Sequence, residues 1–98
     1  MKNIQTKSGF AWNVDERVVG DWDFLDQLCD SESEDKSLAL KASRNCVKML
    51  LGADGASALA EHVKDKDGIK NSAKVFEEFK EIMTLLGKSS KKSQPSQP

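Results

Sequence analysis

The sequence predicts a mainly α protein: a small helical domain of about four helices with an N-terminal β-hairpin and a disordered C-terminal tail. Three observations carry this. Residues 38–51, LALKASRNCVKMLL, are apolar at helical spacing over a wide arc. Residues 3–15 alternate apolar and polar side chains on either side of a Ser-Gly pair. Residues 88–98, KSSKKSQPSQP, hold no apolar side chain except proline.

The central stretch organises the rest. Wound at about 100° per residue, Leu38, Ala39, Leu40, Ala42, Cys46, Val47, Met49, Leu50 and Leu51 occupy one arc of roughly 220°. Lys41, Arg44, Asn45 and Lys48 fill the remainder. A surface helix needs a stripe about half as wide, so this helix is expected at the centre, covered on two sides.

The N-terminal region supplies one cover. Ile4 and Thr6, then Phe10, Trp12 and Val14, alternate with polar neighbours, which reads as a hairpin over about residues 3–15. A lone hairpin is barely stable in water, so its apolar face is expected on the helices, with Trp12 partly buried. Asp15 can cap a short turn that ends at Gly20, and Asp21 a helix from Trp22 to Cys29. Trp22, Phe24, Leu25, Leu28 and Cys29 form the apolar side of that helix. The acidic run DSESEDK follows as a loop, with Ser33 or Asp35 capping the central helix.

Gly52 is placed to stop the central helix. A further helix, about Gly55 to Lys64, carries a narrow stripe of Ala56, Leu59, Ala60 and Val63 that suits close packing. The turn DKDGIKN leads to the last helix, capped by Asn71 or Ser72 and ended by Gly87. Its core stripe is Val75, Phe79, Ile82 and Leu86. Residues 1–87 thus read as a single domain and 88–98 as a polar tail whose ordering nothing would offset.

Charge is unevenly spread. Residues 1–35 hold three basic and nine acidic side chains, and residues 36–98 hold twelve basic and seven acidic. No apolar run is long enough for a membrane helix, and the start has no signal-peptide pattern, so a cytoplasmic protein is expected. In that reducing compartment Cys29 and Cys46, both on apolar helical faces, read as small core hydrophobes.

The sequence offers no catalytic, cofactor-binding or metal-binding set, and the expectation is a non-enzyme without cofactors. Aligning Gly68 to the sixth position of a calcium loop would put Val63 first and Lys74 twelfth, and neither fits the role. One histidine and two scattered cysteines make no zinc site. His62 lies off the apolar stripe with no nucleophile beside it in sequence, and is expected to be exposed. A helix–turn–helix across Gly52 would leave Lys64 as the one cation of its second helix, which argues against base reading. The sequence pI of about 5.8 also argues against nucleic-acid binding.

The order of parts resembles the phage tail assembly chaperones of long-tailed phages and prophages. The matching parts are TKSGFAWNVDERVVGDWDFLDQL, a helix ending KMLLG, an alanine-rich helix ending EHVKDKDG, and a last helix VFEEFKEIMTLLGKSSKKS. The likeness covers about residues 5–92 and has no catalytic signature. It implies a small helical protein that binds the tape-measure protein, or other tail proteins, during tail assembly and is absent from the finished particle. It also implies a longer frameshifted form in many members. Two other functions compete: a small nucleic-acid-binding regulator, and a minor structural component of a phage tail or neck.

Phe76 and Met83 are the candidate partner-binding residues. They form a second apolar row on the last helix, about 80° from the middle of its core stripe. Such a row either packs under the hairpin against Phe10 or Trp12, or borders a groove for an amphipathic client helix.

Overall fold

The structure, a computed structural model, describes residues 1–90. Its order is strand β1 (Lys2–Gln5), strand β2 (Ala11–Val14), a 3₁₀ turn (Glu16–Gly20), and helices α1 (Trp22–Asp30), α2 (Lys36–His62) and α3 (Ser72–Ser90). The protein is mainly helical with an N-terminal antiparallel hairpin, as the periodicity implies. The helix count is three, not four, because the two central segments run on as one element interrupted at Gly52. That residue has φ 80 and ψ 166. A side chain there would strain the backbone, so glycine permits the break and redirects the second arm of α2.

The caps follow local chemistry. The carboxylate of Asp15 accepts from the Arg17 amide, that of Asp21 from Phe24, and that of Asp35 from Ser37 and Leu38. The side-chain oxygen of Asn71 accepts from the Lys74 amide at 3.2 Å, so Asn71 caps α3. Asp65 closes the turn before α3 by accepting from the amides of Asp67 and Ile69. At the other end α3 continues through Gly87 to Ser90, past the expected stop. Of the expected disordered tail, residues 91–98 lie outside the described residues.

In the hairpin Ile4 pairs with Trp12 and Lys2 with Val14. This register points Ile4, Phe10 and Val14 into the core, where they meet Phe24 of α1, Cys46, Val47, Leu50, Leu51 and Leu59 of α2, and Phe79, Ile82 and Leu86 of α3. Phe24, Leu59 and Ile82 are fully enclosed, and each such side chain contributes about 1.5–3 kcal/mol by leaving water. The half-buried Trp12 stacks on Phe10, ring centroids 6.0 Å apart, and donates from Nε1 to the Leu51 carbonyl at 3.2 Å.

Two expected core assignments are corrected. On α1 only Phe24 is buried and Leu28 half-buried; Trp22, Leu25 and Cys29 face solvent. A nine-residue helix resting on α2 and the 3₁₀ turn buries one edge of its wide apolar arc and leaves the rest to solvent. On α2 Leu38 and Leu40 are exposed, Ala39 between them is half-buried, and full burial begins at Ala42.

Candidate functional site

The break at Gly52 creates a concave surface. Both arms of α2 and the first turns of α3 enclose a groove with a volume of about 470 Å³. Its apolar wall is Val47, Ala56, Ala60, Val75 and Phe76. The alanines leave room that larger side chains would fill. Arg44, Lys48 and Lys70 stand on the rim, and no carboxylate lines it. Lys70 is bound to Glu61 at 3.0 Å, which also holds Lys64 at 2.8 Å. These two lysines keep the Glu61 carboxyl below its ordinary value, mainly through their hydrogen bonds. Among the described residues, Arg44 and Lys48 have no carboxylate within ion-pair distance.

Of the two predicted partner-binding residues, Phe76 lies in the groove wall and half-buried Met83 does not. Both pack on the core with one side. Two turns of helix separate them, and only the earlier one reaches the opening between the arms of α2. The sequence puts Lys41, Arg44 and Lys48 on one helical face, a cationic face weighed for nucleic-acid binding, but does not show that Arg44 and Lys48 border an apolar groove with Lys70.

Lys48 also lines a second depression between α1 and α2, with Asp23, Asp26 and Gln27 on one bank and Asn45, Lys48 and Met49 on the other. The Asn45 amide donates to Gln27 Oε1 across it at 3.0 Å.

The hairpin turn carries a polar network. Thr6 is buried, and its hydroxyl donates to Glu78. The Lys7 amide donates to Glu81 at 2.7 Å. Ser8 Oγ lies 2.9 Å from His62 Nε2, and the imidazole rests against Phe10, centroids 5.6 Å apart. His62 is exposed, as expected, but it does have a hydroxyl partner, one brought from 54 residues away. A nucleophilic pair would need a third group to orient the imidazole. Among the described residues none does so, and Glu78 accepts from Thr6 instead. The network fastens the hairpin to α2 and α3.

Among the described residues there is no cluster of three metal-ligating side chains, and no helix is long and apolar enough to cross a membrane. No family model, curated protein or solved structure matches the chain.

Proposed function

We propose that the protein is a phage or prophage tail assembly chaperone. It acts in the host cytoplasm, binds the tape-measure protein or another tail protein, and keeps long apolar helices dispersed until the tail is built. The reading joins the resemblance in the order of parts to one structural observation: an open apolar groove beside Phe76, rimmed by cations. The groove has the size of a small-molecule site, roughly 300–1,000 Å³. A client helix therefore lies across it and inserts one or two anchor side chains, as helix-in-groove recognition requires. Charged residues make up 32% of the chain, which favours solubility when no client is bound.

Co-expression with tape-measure fragments tests the reading. Wild type is expected to hold a fragment in the supernatant. Ala60→Trp, which fills the groove from one wall, is expected to lose it while keeping wild-type helicity. Fragments that never bind, or a folded Ala60→Trp that protects them equally, would overturn the proposal.

A further inference from the structure

α1 and the groove are opposite in character. At the start of α1 Trp22 is 83% exposed and Leu25, one turn on, 42% exposed. A tryptophan so placed is unusual on a surface that needs only solvation, and tryptophan is among the residues most often found as the anchor of an interface. The helix carries Asp23, Asp26 and Asp30, and no basic residue lies between Val18 and Asp35. The groove is apolar within, cationic on its rim, and free of carboxylates. Neither Arg44 nor Lys48 forms an ion pair among the described residues of its own chain, although Lys48 lines the neighbouring depression together with Asp23 and Asp26.

We propose that the groove receives Trp22 and Leu25 of a second copy of this chain, with that copy's Asp23 and Asp26 set against Arg44 and Lys48. The pocket holds an anchor side chain and its neighbour, and a guanidinium or ammonium beside an indole adds cation–π attraction. The two surfaces are different patches of one molecule, so the contact is head-to-tail. Each added copy leaves one groove and one Trp22 free, and the assembly grows past a dimer. The interface is small, which makes the association micromolar or weaker, and its charge pairing makes it sensitive to salt. The contact needs no client, and a client seated in the same groove would displace it.

Sedimentation velocity on the full chain tests this without a client. The mean mass is expected to rise as concentration goes from micromolar to millimolar and to fall when salt is added. Trp22→Ser, and separately Arg44→Glu with Lys48→Glu, should each weaken association at least tenfold, about 1.4 kcal/mol. All three positions are exposed, so helicity and thermal midpoint should hold. Should the double variant fail to fold, Lys48→Ser replaces it. Each variant retains the surface that the other lacks. An equimolar mixture is therefore expected to form a dimer that grows no further, with the emission of the variant's remaining Trp22 shifted to the blue. A wild type that stays monomeric at millimolar concentration would overturn the proposal. So would a Trp22→Ser chain that associates like wild type, or a mixture that stays monomeric.

Discussion

Trp12 lies so close over Gly55 that a Cβ on the glycine would stand 2.6 Å from the indole Nε1. The same atom would come within 2.7 Å of the Leu51 Cβ. The hairpin and the bend of α2 are therefore fitted to each other through a residue without a side chain. Gly55→Ala should gain about 1 kcal/mol of helix propensity and lose about 1–3 kcal/mol to overpacking. A net loss is expected, read as a fall of a few degrees in the thermal midpoint. In a Trp12→Ala background the same change should lose part of its penalty, since the indole is one of the two obstacles and the Leu51 Cβ remains.

Phe76 and Met83 should separate in their effects. Full burial would set the cost of Phe→Ala at about 3–5 kcal/mol and of Met→Ala at about 2–5 kcal/mol. Both side chains are half-buried, so urea melts should show less than the full figure for each. Client binding should fall about tenfold for Phe76→Ala, about 1.4 kcal/mol, and stay level for Met83→Ala, which is away from the groove wall. Equal losses of binding would place the contact along the whole row.

The cysteines should differ as sharply. Cys29 is exposed and Cys46 is enclosed in the core. Burial also pushes the Cys46 thiol up, which lowers its thiolate fraction. A thiol reagent at neutral pH is expected to titrate one group quickly and the second only as the protein unfolds.

Asp15 offers a test by pH. Hydrogen bonds from the Arg17 side chain, with its backbone amide next, lower the carboxyl to about 2. The unfolded value is about 3.9. A depressed folded value means the cap's contribution is whole above the unfolded value and is lost as pH falls through the folded one. NMR titration should place the Asp15 midpoint near 2, and Arg17→Ala should move it towards the unfolded value.

What could be read in the sequence was local. The caps at Asp21 and Asp35, the break at Gly52 and the core stripe of α3 each depend on residues within a turn or two. What could not be read depends on the placing of neighbours. A helical wheel shows that Trp22, Leu25 and Cys29 continue the arc of Phe24 and Leu28, but not which edge a neighbour will cover. The groove exists because two arms of α2 meet α3 at the angle set by Gly52, and no periodicity encodes that angle. Met83 has the same wheel position as Phe76 and a different surrounding for this reason.

The hairpin turn leans on both ends of the chain's history. Thr6 and Lys7 find their carboxylate partners 72 and 74 residues later, in Glu78 and Glu81. During synthesis the first strands leave the ribosome well before those acids exist. Until α3 emerges, Thr6 and the Lys7 amide must make do with water, and the apolar face of the hairpin has only α1 and α2 to rest on. The order of translation thus runs opposite to the order of completion: residues made before α3 are secured only once it has formed. Contacts so distant in sequence also slow closure of the whole domain, since the loop they seal spans most of the chain.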